Sequence, residues 1–208
     1  MKASLELVIH TALPAGMAFL ATNLDDFFLL IVMFAQVPNQ FSYRQIFWGR
    51  YLGFAALVAL SLPGFFGGLM LPKAWIGLLG LVPILLGLSQ LRPQTDAKAK
   101  VQFVNSLKLP LLSTQIATVA GLTLANGGDN IGIYVSLFAG QTWAELGLTL
   151  LVFALLIPLW YGLALRMVSQ PLVQDYLVRV GHRLTPWVLI GLGLFILLDS
   201  EAYRLVAR

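Results

Sequence analysis

Six apolar runs, at roughly 7–36, 46–70, 74–91, 111–139, 144–168 and 184–203, alternate with short polar breaks along the chain. A membrane span takes about 20 consecutive apolar residues, so each run predicts one transmembrane helix. The first and fourth runs exceed what a bilayer requires, and each carries polar residues near its middle. Excess length permits tilt, kinking or a break, and Gly127-Gly128 marks a break point in the fourth. The N-terminal run, with Lys2 and Pro14, has the outline of a signal peptide. It continues into polar sequence without a small-residue cleavage site, so it is read as part of the first span.

The polar interruptions are duplicates of one another. Ala21-Thr22-Asn23-Leu24-Asp25-Asp26 and Ala125-Asn126-Gly127-Gly128-Asp129-Asn130 lie 104 residues apart, and Phe34-Ala35 and Phe138-Ala139 coincide in the same register. Trp48, Pro63 and Gly67 match Trp143, Pro158 and Gly162 at a spacing of 95, and Trp75 and Ile84-Leu85-Leu86 match Trp187 and Ile196-Leu197-Leu198 at 112. The fold class expected is therefore an all-α membrane protein, a single transmembrane domain over 1–208. Repeat 1 covers 1–91, a cytoplasmic linker 92–109, and repeat 2 110–208. Three helices per repeat is an odd number, so the second repeat enters the membrane from the opposite side. Such inverted repeats hold their substrate near the midplane on interrupted helices.

Lysines and arginines orient the bundle. Arg44, Arg50, Arg92, Lys98, Lys100, Lys108, Arg166, Arg179 and Arg183 fall on one side, against Lys2, Lys73, Arg204 and Arg208 on the other. Positive charge marks the cytoplasmic face, which puts the linker inside and both termini outside, in a bacterial inner (plasma) membrane.

Composition narrows the chemistry. Hydrophobic residues make up 59% of the chain and charged residues 11%, far from the quarter or so charged in soluble domains; mean hydropathy is +0.85. The absence of cysteine excludes disulfides, thiolate metal sites and dithiol redox chemistry. The net charge of +4 reports on topology, and nucleic acid is set aside as a partner.

A charge inside apolar sequence costs about 2.5 to 3.5 kcal/mol on insertion scales, so intramembrane carboxylates are read as functional. Residues three or four apart share a helix face, which puts Thr22 over Asp25 and Asp26, and Asn126 over Asp129 and Asn130. Antiparallel packing then gathers carboxylates, amide carbonyls and a hydroxyl. These hard oxygen ligands suit a divalent cation. The candidate metal ligands are Asp25, Asp26, Asp129, Asn130 and Asn126, with Thr22, Asn23, Gly127 and Gly128 around them. Three carboxylates in a low dielectric repel one another, so without a cation one of them holds a proton, and metal arrival displaces it. Exchange of a divalent cation for protons follows. A buried structural network of the same residues is the competing reading. Asp26 points about 100° away from Asp25, so one of the two serves only to position the other.

Other polar residues are assigned lesser roles. His10 and His182 sit near span ends without a ligand cluster, and Asp199 and Glu201 close the last helix at the outer interface, where a cation-gathering vestibule is the alternative. Gly64, Gly67, Gly68, Gly77, Gly80 and Gly87 are small residues for close helix packing. Arg50 and Glu145 hold nearly equivalent places just inside the second and fifth spans; a salt bridge or gate is one reading, and snorkelling to the interface is preferred.

The segments Thr22-Asn23-Leu24-Asp25-Asp26, Gly49-Arg50-Tyr51-Leu52-Gly53 and Ala125-Asn126-Gly127-Gly128-Asp129-Asn130-Ile131-Gly132-Ile133-Tyr134 resemble the signatures of the cadmium resistance transporter family, within the lysine exporter superfamily. The resemblance implies a six-helix exporter moving cations out of the cytoplasm, with Asp25, Asp26, Asp129, Asn126 and Asn130 at the family's motif positions. The layout is also similar to that of manganese and calcium exchangers, although their full Glu-x-Gly-Asp-Lys/Arg pattern is missing. Cadmium is a soft ion, and Mn²⁺ or another hard cation fits oxygen ligands at least as well.

The function expected is secondary transport: export of Cd²⁺, Mn²⁺ or a similar cation, with protons as counter-ion, no cofactor and no enzyme activity. A homodimer is an open alternative. Export of an amino acid or another cationic solute is the second reading. A remote third is an intramembrane aspartyl protease, in which two facing Asp residues activate water. Such enzymes resemble a Tyr-Asp plus Gly-x-Gly-Asp pattern, whereas Asp25 follows Leu24 and Asp129 follows Gly127-Gly128 directly.

Overall fold

The computed structural model describes residues 2–37, 39, 41–70, 72–91, 113–128, 130–168, 171–200 and 202, without the side chains of 2–8, 25, 28, 35, 73, 74, 90 and 171–182. The whole linker 92–109, together with Asp129 and Glu201, lies outside the described residues, as do the side chains of Asp25 and His182. Within them the chain is helical: α1 (Lys2–Ala35), α2 (Tyr43–Gly68), α3 (Lys73–Gly77), a 3₁₀ turn (Leu78–Gly80), α4 (Leu81–Gln90), α5 (Thr114–Asn126), α6 (Asn130–Ala139), α7 (Trp143–Met167) and α8 (Pro171–Asp199). Two of these, α2 and α7, are long and apolar enough to cross a membrane.

Local sequence explains where several helices begin. Ser42 and Gln45 form a capping box at the start of α2, and Thr142 and Glu145 form another at the start of α7. In each, two backbone N–H groups that lack helical partners are satisfied by side chains. These starts also separate the matched tryptophans, because Trp143 opens α7 while Trp48 lies well inside α2. Arg50 and Glu145 are therefore not equivalent: Glu145 belongs to the cap and Arg50 to the helix body.

Prolines inside helices free carbonyls four residues earlier, and neighbouring helices answer them. Pro83 leaves the Leu79 carbonyl without its helical donor, and the Ser136 hydroxyl of α6 donates to it at 2.8 Å. Pro158 does the same to Ala154, whose carbonyl accepts from the Tyr51 hydroxyl of α2 at 2.6 Å. A freed carbonyl in hydrocarbon has no water to turn to, so these bonds fix the mutual register of the helices.

Packing between helices relies on glycine. On α2, a Cβ at Gly53 would stand 2.7 Å from the Ala120 carbonyl oxygen of α5, and one at Gly49 would stand 2.9 Å from that of Ile116. Further along, Gly64 meets Val135 and Gly68 meets Ala139, both on α6. Two small-xxx-small pairs thus seat one helix against both halves of a broken partner. Gly80 and Gly193 approach each other where α4 crosses α8, and Gly77 and Gly87 pack on α8 and the residues just after it. Gly67 meets nothing within 4 Å, so the expectation that it packs is corrected: it lies one helical step away from the contacting face.

The remaining contacts pair α1 with α7 and α8, and α4 with α8. Two apolar cores result. One gathers Phe19, Phe54, Tyr134, Phe138 and Phe153, and the other Phe27, Leu30, Phe34, Ile46 and Val119. Helix α1 runs through both, and its polar motif falls at their junction. The outer surface is apolar as well: Trp48, Phe66, Trp75, Leu85, Leu155, Leu159, Trp187 and Leu198 are all at least half exposed. A water-soluble monomer seldom shows so continuous an apolar exterior.

Candidate cation site

Where the two cores meet, polar side chains from four helical segments form one buried network. On α1, Thr22, Asn23 and Asp26 share a face and are all buried, Asn23 and Asp26 completely. The Arg50 guanidinium of α2, buried beside them, places Nη1 2.6 Å from Asp26 Oδ2 and donates through Nη2 to Asn23 Oδ1 at 2.5 Å. From α5, Asn126 Nδ2 donates to the other carboxylate oxygen, Asp26 Oδ1, at 2.7 Å. From α6, Asn130 Nδ2 donates to the Thr22 carbonyl at 3.2 Å, and Tyr134 Oη lies 2.7 Å from Thr22 Oγ1.

The network explains how polar groups persist in an apolar bundle. Asn23 Nδ2 donates to Phe19 O, Thr22 Oγ1 and Tyr134 Oη, and the Asn23 backbone carbonyl accepts from Trp160 Nε1 of α7 at 2.9 Å. Aromatic rings close the sides, with Phe19 and Phe27 edge-on to Trp160. Buried polar groups cost little when each is paired, and a charge in low dielectric needs its counter-charge at hydrogen-bond distance.

The backbone breaks beside this network. Helix α5 ends at Asn126, where Gly127 donates its N–H to Thr123 O at 2.9 Å, and α6 begins at Asn130. Gly127 is buried against Leu57 of α2, and Gly128 is exposed. The equivalent stretch of α1 is continuous, carrying Asn23-Leu24 where α5 has the glycine pair. Each glycine weakens a helix by about 1 kcal/mol relative to alanine, so the same motif interrupts one helix and not the other.

Of the residues expected at the site, Asp26, Asn126, Asn130, Thr22 and Asn23 lie together, with Gly127 and Gly128 forming the adjoining break. Asp25 belongs to α1 with its side chain outside the described residues, as is the whole of Asp129. Arg50 is a correction: it does not snorkel to an interface but is buried and paired with Asp26. Its Cα lies about 10 Å along α2 from the first residue of the helix, and an ionisable residue at that depth in an apolar run was the available signal. Tyr134 and Trp160 also join the network; nothing in residue type distinguished them from core or interfacial aromatics.

A second polar region lies at another end of the bundle. His10, Thr11, Gln141, Glu145, Asp199 and Ser200 line a cavity of about 70 Å³. Both His10 and Asp199 are exposed there. Among the described residues, no three His, Cys, Asp or Glu side chains are clustered to hold a metal.

An all-helical protein with an apolar exterior and a charged network at its centre has the build of a membrane transporter. The family description for cadmium resistance transporters matches residues 19–207, nearly the whole chain, and the protein belongs to that family. Its activity is accordingly metal-cation transport across a membrane and not enzymatic catalysis. No curated protein and no solved structure matches the chain.

Proposed function

We propose that the protein exports a divalent cation, Cd²⁺, Mn²⁺ or one of similar size, from the cytoplasm through a midplane site formed where the two polar motifs meet. The observation that carries the reading is the contact of Asp26 with Asn126, a residue of each motif joined at 2.7 Å beside a helix break. Asp25 and Asp129 complete the ligand set with Asp26, Asn126 and Asn130, while Thr22, Asn23, Gly127 and Gly128 hold these ligands in place. Six spans form two inverted repeats, 1–91 and 110–208. Supporting this, exchange of the repeats turns the packing of α1 on α7 into that of α5 and α6 on α2, and maps α4 on α8 onto itself. The linker 92–109 faces the cytoplasm of a bacterial plasma membrane and both termini face outward. With Arg50 removed from the count, eight basic residues against four still favour that orientation.

Protons are the counter-ion in this reading. Arg50 neutralises Asp26, so the charge left for protons to balance falls on Asp25 and Asp129. The cavity lined by His10, Glu145 and Asp199 serves as the outer mouth. A second reading has support of its own: Asp26 accepts a guanidinium, an organic cation of the kind an amino-acid exporter would carry.

Binding of Mn²⁺, Ca²⁺, Cd²⁺ and Zn²⁺ to the purified protein, and to Asp25→Asn and Asp129→Asn, tests the site. Loss of binding in both variants is expected, and unchanged affinity in either refutes a shared site. Vesicle uptake of metals against lysine and arginine separates the two readings, and metal flux indifferent to an imposed pH gradient removes proton exchange.

A further inference from the structure

We propose that Arg50 is a tethered rival of the transported cation, competing with it for Asp26 and returning to that carboxylate as the ion departs. The inference rests on the cation-transport reading and assigns to it a residue outside the ligand set.

The geometry makes the rivalry specific. Asp26 offers Oδ2 to Arg50 and Oδ1 to Asn126, so one carboxylate links α2 to α5. A cation ligated by Asp26 and Asn126 would share that carboxylate with a guanidinium 2.6 Å from its other oxygen, in a setting where Asp26 and Arg50 are both buried. Two like charges on one carboxylate in low dielectric repel strongly. Cation binding therefore weakens the hold on Arg50, and the hold on Arg50 weakens cation binding by the same factor.

The surroundings let the side chain move while the helix stays. Gly49 and Gly53, on either side of Arg50 in sequence, pin the α2 backbone against α5, whereas among the described residues the guanidinium is held by side chains alone, those of Asp26 and Asn23. A long flexible stem anchored on a fixed helix can swing off its carboxylate and back. Asp26 would then never stand uncompensated in the apolar bundle during turnover, and cation affinity would remain low enough for release.

The test is equilibrium binding of Cd²⁺ and Mn²⁺ to purified protein, paired with the turnover rate in reconstituted vesicles. Arg50→Gln is expected to bind about tenfold more tightly, a change of about 1.4 kcal/mol, and to turn over more slowly; Arg50→Lys, which keeps the charge, should lie between. In an Asp26→Asn background, Arg50→Gln should no longer tighten binding. Arg166→Gln, which removes a positive charge from the last turn of α7, should leave affinity unchanged. A purely structural Arg50 would give weaker or equal binding in Arg50→Gln, and that result overturns the proposal, as does equal tightening by Arg166→Gln. Should Arg50→Gln fail to fold, Arg50→Lys, which keeps the charge but loses the two-pronged hold on Asp26 and Asn23, is expected to tighten binding about threefold; no tightening there overturns the proposal equally. A wild-type protein that binds neither ion instead defeats the transport reading on which this one stands.

Discussion

Replacing Asp26 with leucine removes the partner of two groups at once, the ion-paired Arg50 at 2.6 Å and the donating Asn126 amide at 2.7 Å. The fully buried carboxylate leaves behind a buried guanidinium whose other partner among the described residues is Asn23. Breaking a buried ion pair by deleting one member costs about 3 to 5 kcal/mol, because the surviving charge is stranded. In a bilayer or micelle the unfolded helices also find polar partners, which moves the expectation to the lower end, about 3 kcal/mol. That lowers the folded-to-unfolded ratio on the order of a hundredfold. Reversible unfolding in mixed micelles, followed by tryptophan fluorescence, reads the change, since Trp160 bonds into the same network. The companion variant Asp26→Leu/Arg50→Met exchanges the pair for apolar groups, which is often neutral. It should recover all but about 1 kcal/mol, the remainder reflecting the lost hydrogen bond from Asn126 to Asp26. Transport should be lost in both variants. A single variant within about 0.5 kcal/mol of wild type, or a double variant no more stable than the single, would falsify the buried-pair argument.

Three further outcomes are expected. Gly53→Ala, with its new Cβ pressed on Ala120 and Thr123, should lose about 1 to 3 kcal/mol, whereas Gly67→Ala, with open space around it, should be neutral or gain up to about 1 kcal/mol; equal thermal midpoints for the two would contradict the α2–α5 contact. Tyr134→Phe removes the hydroxyl shared by Thr22 and Asn23 and should cost about 0.5 to 1.5 kcal/mol, with slower cation flux; a variant as stable and active as wild type would show that the hydroxyl does not order the motif. Because the chain has no cysteine, single replacements report topology cleanly. Asn105→Cys should react with an impermeant maleimide only in inverted membrane vesicles, and Gly140→Cys only in intact cells, so the opposite pattern inverts the orientation.

The helical elements were legible because their causes are local. Apolar runs set the helices, Ser42 and Thr142 set two of their starts, and Gly127-Gly128 set the break, each through propensity or hydrogen bonding over a few residues. The polar motifs stood out for a similar reason, since a charge in apolar sequence is costly wherever the chain folds. The glycines were legible as packing residues in kind, but Gly67 shows the limit: composition does not say which side of a helix has a neighbour.

The sequence by itself determined that the chain is helical and strongly apolar, and it marked two polar motifs, Thr22 to Asp26 and Asn126 to Asn130, as the candidate interior site. Only the tertiary structure decided how those residues pair. Arg50 and Glu145 looked alike as charges near the start of a span, yet one caps a helix and the other lies buried against Asp26. That outcome depends on α2 approaching α5 through Gly49 and Gly53 while α1 passes beside both. A guanidinium finds its carboxylate through distances between helices far apart in sequence, and no local periodicity encodes such a distance.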